Sequence, residues 1–167
     1  MGLVMVLTTV TWAVAEEAKA ETVTEDTAVV LKQTPGQATA SGGSGLSKWG
    51  DTSWGFNTKG GYATFTFDIP VSGKYQLIHR GGVGGTGSFN VTVDRVPFGA
   101  ITLNGTNLNT GIDTDAGNYY FEAGTHRVTF TYAETTTYST ALYLVTLKQL
   151  TSETVVALQD DDKDEVT

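Results

Sequence analysis

The amino-acid sequence predicts an all-β domain, an antiparallel β-sandwich of the jelly-roll type. The 167 residues include 29 Thr and 20 Gly, which favour strands and tight turns over helix interiors. Apolar and polar residues alternate in several short segments, and no segment has a helical repeat of useful length. We therefore expect about eight strands in two packed sheets.

The first predicted strand covers residues 27–33, where TAVVLKQ is rich in β-branched and apolar residues. Small and polar residues predict a loop at 34–45. The clearest alternation runs over 62–69 and ends before Pro70. Its predicted buried face comprises Ala63, Phe65, Phe67 and Ile69.

The remaining strands follow from the same alternation and from the turns between them. They are predicted at 75–80, 89–93, 100–103, 119–122, 126–132 and 141–149. Five glycines at 81–88 predict a mobile loop, and polar residues predict a long loop at 104–118.

We expect four parts in the chain. They are a signal-like segment at 1–20, an acidic linker at 21–26, the sandwich at 27–150 and an acidic tail at 151–167. The apolar run at 1–15 precedes Ala-x-Ala patterns and resembles a secretory signal peptide, which predicts an extracellular protein. It is shorter than the roughly 20 residues of a membrane span, so no stable span is expected.

The charge pattern excludes several classes of function. Residues 16–26 carry −4 and residues 153–165 carry −5 of the net charge of −8, so the body between them is nearly neutral. A neutral body lacks the basic stripe that binds nucleic acid. The absence of Cys excludes disulfides and thiolate metal sites.

No arrangement of residues predicts catalysis. The two histidines, His79 and His126, lie in alternating strands outside any nucleophile motif. The acids of the body fall mostly at turns, where capping is their usual role. Asp113 and Asp115 begin a DTDAGN run that resembles a calcium loop. An Asx-type turn is the alternative, so we expect no required cofactor and calcium only as an optional ligand.

Aromatic residues near predicted loops indicate a polysaccharide or other glycan as partner, because a flat ring stacks on the apolar face of a sugar. The candidate sugar-binding residues are Trp49, Asp51, Trp54, Asn57, Tyr62, Asn118 and Tyr119. The alternative is that rings such as Trp54 close one end of the core. Asn90 and Asn104 begin Asn-x-Thr sequons, which would be glycosylation sites in a eukaryotic secretory pathway.

Three runs resemble carbohydrate-binding modules of families 6 and 35, which have galactose-binding-like jelly rolls. They are GGYATFTFDIP with SGKYQL, GSFNVTVD, and FEAGTHRVTF. The resemblance implies the fold, sugar binding and no catalysis, with Tyr62 as one wall of the sugar cleft and Tyr119 or Tyr120 near the other. A weaker resemblance is to golvesin C-terminal-like domains.

Two functions follow. The first is a secreted, non-catalytic carbohydrate-binding module in which Tyr62 with Trp49 or Trp54 stacks on a sugar. The second is a structural subunit of a surface layer, filament or matrix, which self-assembles through strand edges.

Overall fold

The computed structural model describes residues 28–104 and 108–151. In these residues it has eleven strands and one 3₁₀ turn, at Pro35–Gln37. The strands are β1 (Val30–Gln33), β2 (Ala40–Gly42), β3 (Leu46–Lys48), β4 (Trp54–Phe56), β5 (Tyr62–Ile69), β6 (Gly73–Val83), β7 (Thr86–Val93), β8 (Val96–Asn104), β9 (Ile112–Phe121), β10 (Gly124–Tyr132) and β11 (Thr140–Gln149).

The strands form two antiparallel sheets that face each other. Sheet A has the order β3-β4-β11-β6-β9, and β1 also pairs with β11. Sheet B has the order β2-β5-β10-β7-β8. This arrangement confirms the predicted antiparallel β-sandwich.

The core between the sheets is rich in aromatic rings. Alternation in β5 buries the four apolar residues predicted from the sequence, while the threonines between them face outward. Rings from the two sheets meet edge to face, as Phe56 does with Phe89 at 5.2 Å between ring centroids. Burying such rings supplies most of the favourable free energy of folding in a domain of this size.

The two predicted long loops are wrong in extent. The glycine-rich segment at 81–88 is mostly strand, because β6 continues to Val83 and β7 begins at Thr86. The polar segment at 104–118 contains most of β9, although Asp, Asn and Gly are poor strand formers. Pairing with β6 along nearly its whole length holds these residues extended.

The segment before β5 also contains more strand than the sequence indicates. Within 34–56 the chain forms a 3₁₀ turn and the strands β2, β3 and β4, each of three residues. Three residues are too few to show a period of two, so the alternation cannot reveal them.

The predicted signal-like segment, the acidic linker and nearly all of the predicted tail lie outside the described residues. Within 28–104 and 108–151, no helix has the length and apolar character needed to cross a membrane.

Candidate functional site

One end of the sandwich presents an exposed indole on a short hairpin. The loop between β3 and β4 turns at Gly50, whose φ of 111° favours glycine. The indole N–H of Trp54 donates a hydrogen bond to the Gly50 carbonyl at 3.0 Å. The backbone N–H of Trp49 donates to the Ser53 carbonyl, also at 3.0 Å. These bonds fix the position of Trp49.

The ring of Trp49 packs against the backbone of Gly55 on the outer face of sheet A. A Cβ atom on Gly55 would collide with the six-membered ring of Trp49 and would lie 3.1 Å from Cβ of Ser139. Trp49 nevertheless remains 48% exposed. An indole that packs against the backbone and remains half-exposed to solvent provides a flat apolar surface.

A cavity of about 360 Å³ opens beside the start of β11, the strand that pairs with β4. It lies between the β6–β7 turn and the loop that joins β10 to β11. Its lining comprises Val83, Gly84, Gly85, Thr86, Thr135, Thr136, Thr137 and Tyr138. Tyr138 is 65% exposed and is followed directly by Ser139, whose Cβ lies near Gly55, the residue on which the Trp49 ring packs. We call Trp49, Gly55, Ser139 and this cavity the loop-end surface.

Hydrogen bonds hold the β10–β11 loop in place. The Tyr132 hydroxyl pairs with Thr136 at 3.0 Å and with the buried Thr140 hydroxyl at 2.8 Å. The Thr136 hydroxyl donates to the Tyr138 carbonyl at 2.6 Å. The Thr136 backbone N–H donates to the Asn57 carbonyl at 2.9 Å. The loop that lines the cavity is therefore anchored to both sheets.

The chemistry of the loop-end surface is neutral. The cavity lining has hydroxyl groups, exposed backbone and one phenol, and no Asp, Glu, His, Lys or Arg. Such a surface can stack on an apolar ring face and exchange hydrogen bonds with hydroxyl groups.

The structure brings few of the predicted sugar-binding residues to this surface. Trp54 is 4% exposed, so its ring is part of the core. The Lys48 ammonium lies 4.5 Å from the centroid of this ring. The side-chain oxygen of Asn57 accepts a hydrogen bond from the Thr58 hydroxyl, and the backbone of Asn57 bonds two neighbouring loops. Asn57 therefore holds these loops together. Asp51 lies against Gly36 of the 3₁₀ turn, where its carbonyl accepts a hydrogen bond at 2.8 Å.

Two further predicted residues lie far from Trp49. Asn118 pairs with Gln76 of β6. Gly82 is level with Gly55 because both pair with Ala141, and it is six residues from Gln76, which is about 20 Å along a strand. Tyr119 packs its ring against Phe121 at 4.8 Å and is half-buried.

Tyr62 lies on the other side of the sandwich. Its side chain points outward from sheet B, where the ring lies 3.3 Å from the position that a Cβ on Gly42 would take. The structure therefore does not pair Tyr62 with either Trp49 or Trp54.

Asp113 and Asp115 lie within β9 rather than in a loop. Asp113 pairs with Arg80 at 3.4 Å. Asp115 accepts hydrogen bonds from Gln76 at 2.8 Å and from the Gly117 backbone N–H at 2.7 Å. Within the described residues, no group of three or more His, Asp or Glu side chains lies close enough together to hold a metal ion. Both carboxylates are instead engaged by donors of the protein.

The sequon residues Asn90 and Asn104 are both exposed, on β7 and at the end of β8. The structure leaves their modification untested.

His79 is fully buried between the sheets, and its ring packs against Phe89 and Phe130. Neither ring nitrogen has a hydrogen-bond partner. Burial lowers the pKa of His79 from 6.5 to about 4, although its own backbone weakly opposes the shift. His79 is a neutral core residue, so it takes no part in the loop-end surface.

Sequence reasoning missed the contribution of Gly55, Gly84, Gly85 and the threonines at 135–137. The residues around Gly55 do not show that an aromatic ring packs on it, because the hairpin of β3 and β4 is what brings Trp49 to Gly55. The threonines lie between two strands in a chain that is rich in threonine everywhere.

Comparison with solved structures places the fold among carbohydrate-binding modules. The chain resembles the C-terminal family 6 module of the laminarinase LamC from Zobellia galactanivorans, with a TM-score of 0.61 and 15% identity, covering 72% of this chain and 100% of that one. It also resembles a family 36 module in complex with calcium and xylotriose, with a TM-score of 0.58 and 15% identity, covering 70% and 98%.

A third similar structure is the β-(1,4)-mannanase of Podospora anserina, in which a family 26 glycoside hydrolase is joined to a family 35 module. The TM-score is 0.60 and the identity 14%, and the match covers 73% of this chain and 28% of that one. No family model and no curated protein matches the chain. The predicted resemblance to carbohydrate-binding modules is confirmed at the level of the fold.

Proposed function

We propose that this protein is a non-catalytic carbohydrate-binding module that binds a neutral polysaccharide at the loop-end surface. The observation that carries the proposal is the position of Trp49, whose half-exposed ring is supported by Gly55. One sugar ring stacks on this indole, and the chain of sugars continues toward Tyr138 and the cavity that Tyr138 lines.

The size and lining of the cavity support this function. Its 360 Å³ falls within the roughly 300 to 1,000 Å³ of small-molecule sites. The threonine hydroxyls and the backbone at Gly84 and Gly85 offer both donors and acceptors to sugar hydroxyl groups. Because none of the lining residues is an acid or a base, binding without turnover is the function that this surface favours.

The fold neighbours suggest where such a module works. Two of the similar structures are modules of a laminarinase and a mannanase. We propose an extracellular protein that holds a polysaccharide. The apolar run at 1–15, which lies outside the described residues, is consistent with export.

The test compares two aromatic truncations. Laminarin, xylan and mannan are immobilised in native gels, and retardation of the protein is measured. We expect Trp49→Ala to weaken retardation by about tenfold or more, as loss of a central aromatic contact does. Tyr120→Ala is the matched control. The resemblance implied a place for Tyr120 near the second wall of a cleft, but its ring is 59% exposed on β9, at the far end of sheet A from Trp49.

Equal retardation of wild type and Trp49→Ala would overturn the site. Retardation by none of the polymers, together with oligomers in light scattering, would instead support the structural subunit that the sequence also suggests. Trp49 is half-exposed, so its truncation should leave the melting temperature nearly unchanged, which separates loss of binding from loss of fold.

A further inference from the structure

A second cavity lies on the outer face of sheet B, on the opposite side of the sandwich from Trp49. Its volume is about 260 Å³. Its lining comprises Thr39, Ala40, Thr64, Arg95, Arg127 and Thr129. The lining contains two guanidinium groups and no carboxylate, in a chain whose net charge is −8. The charge of this cavity is therefore opposite to that of the whole chain.

The two arginines are available to a ligand. Within 28–104 and 108–151 the ion pairs are Arg80 with Asp113 and His126 with Asp94. Neither Arg95 nor Arg127 donates a side-chain hydrogen bond in this part of the chain.

Asp94, which precedes Arg95 in the chain and interacts with the charge of Arg127, is already hydrogen-bonded. Its Oδ1 accepts the backbone N–H of Arg127 at 2.8 Å, and its Oδ2 pairs with Nδ1 of His126 at 2.7 Å. Partial burial would raise the pKa of Asp94, but these bonds and the nearby charges hold it below its ordinary value. The carboxylate is thus ionised and bonded to the turn and to His126, and neither guanidinium group donates a hydrogen bond to it.

Arg95 has an unusual backbone conformation. Asp94 and Arg95 form the turn between β7 and β8 with φ angles of 49° and 71°. Two positive φ angles in a two-residue hairpin turn favour glycine, especially after Asp or Asn. A long charged side chain at such a position is held against local strain, which points to a role for the side chain itself.

Threonine hydroxyls surround the arginines in a fixed array. The hydroxyls of Thr64 and Thr129 lie 2.8 Å apart across neighbouring strands, and those of Thr39 and Thr66 lie 2.9 Å apart. Each hydroxyl can both donate and accept, so the array keeps capacity for further bonds. The cavity thus combines two fixed positive charges with neutral polar groups.

We propose that this cavity binds an anionic group, a carboxylate or a sulfate ester, of an acidic polysaccharide. Each guanidinium presents a planar fork of donors that matches a carboxylate or sulfate. The threonines bond hydroxyls of the sugar that carries the anion. Two arginines are too few for nucleic acid, which needs many phosphate contacts. The site is separate from the loop-end surface, so either can fail without the other.

The test uses polygalacturonate, dextran sulfate and neutral dextran as immobilised polymers. The variants are Arg95→Gly with Arg127→Gln, which removes two positive charges, and Arg80→Gln, a control that removes one positive charge on sheet A. Glycine suits the positive φ at position 95, so the double variant should fold with an unchanged or higher melting temperature.

We expect retention on at least one anionic polymer but not on dextran. Retention should fall about tenfold or more in the double variant and persist in Arg80→Gln and Trp49→Ala. Retention on polygalacturonate would assign a carboxylate, and retention on dextran sulfate alone would assign a sulfate. Failure to bind either anionic polymer, or an equal loss in Arg80→Gln, would overturn the proposal.

Discussion

The six-membered ring of Trp49 occupies the space in which a Cβ atom of residue 55 would stand. Residue 55 is a glycine in the middle of β4, and its neighbours Trp54 and Phe56 point into the core. The absence of a side chain at one position thus determines how an exposed ring lies on the sheet. Ser139, the residue before β11, lies beside this contact.

Gly55→Ala should displace the Trp49 ring and weaken sugar binding by about tenfold, as the truncation of Trp49 does. The collision is with the far end of a side chain that can rotate away, so stability should change little. Binding is measured by retardation in polysaccharide gels and stability by thermal melting. Gly99→Ala is the control, because a Cβ at Gly99 meets nothing within 4 Å. Unchanged binding in Gly55→Ala would contradict the proposed role of the contact.

Tyr132→Phe should lower the free energy of unfolding by about 1 to 3 kcal/mol, because it leaves the buried Thr140 hydroxyl without its partner. Adding Thr140→Val removes the unpaired group and should recover part of the loss. Urea denaturation of the two single variants and the double variant measures the coupling. Strict additivity would show that the hydroxyl pair is not an energetic unit.

Stability should depend on pH through His79. The pKa of His79 is about 4 in the folded chain and 6.5 when it is exposed, so between these values the unfolded state binds the extra proton. Stability is complete above pH 6.5 and declines as the pH falls toward 4, by about 3 kcal/mol. Denaturation of wild type and His79→Met at pH 7, 5.5 and 4.5 measures this contribution. The same decline in both proteins would assign it to other groups.

Calcium should have no effect on sugar binding at the loop-end surface. Asp113 and Asp115 are engaged by donors of the protein, and they lie on β9 rather than beside Trp49. We expect equal affinity for an oligosaccharide in excess calcium and in excess chelator, measured by calorimetry. Loss of binding in chelator would show that calcium ligands were overlooked.

The sequence predicts the fold well where single strands carry enough residues to show a period. β5 is predicted with its full length and its buried face. In β11 the alternation is interrupted. Leu142 and Leu147 are buried, but a bulge between Leu142 and Leu144 shifts the register and leaves Leu144 half-buried. A bulge inserts one residue into the alternation, and no local sequence pattern predicts where it occurs.

The candidate site is less predictable because it depends on contacts between distant segments. Aromatic composition singled out Trp49, but it equally singled out Trp54, which differs only in the face of the hairpin on which it lies. Arg95 and Arg127 meet because the β7–β8 turn lies beside β10, a relation of sheet topology. Such relations emerge only when the strand order is known.

The most direct test of sugar binding at the loop-end surface is a titration of isotope-labelled protein with xylotriose and laminarin oligosaccharides, observed by NMR. We predict shifts concentrated at the indole N–H of Trp49 and at the amides of Gly84, Gly85 and Ser139. The outer face of sheet B around Tyr62 should remain unchanged. Shifts confined to the Tyr62 face, or saturation of binding without any change at Trp49, would contradict the assignment.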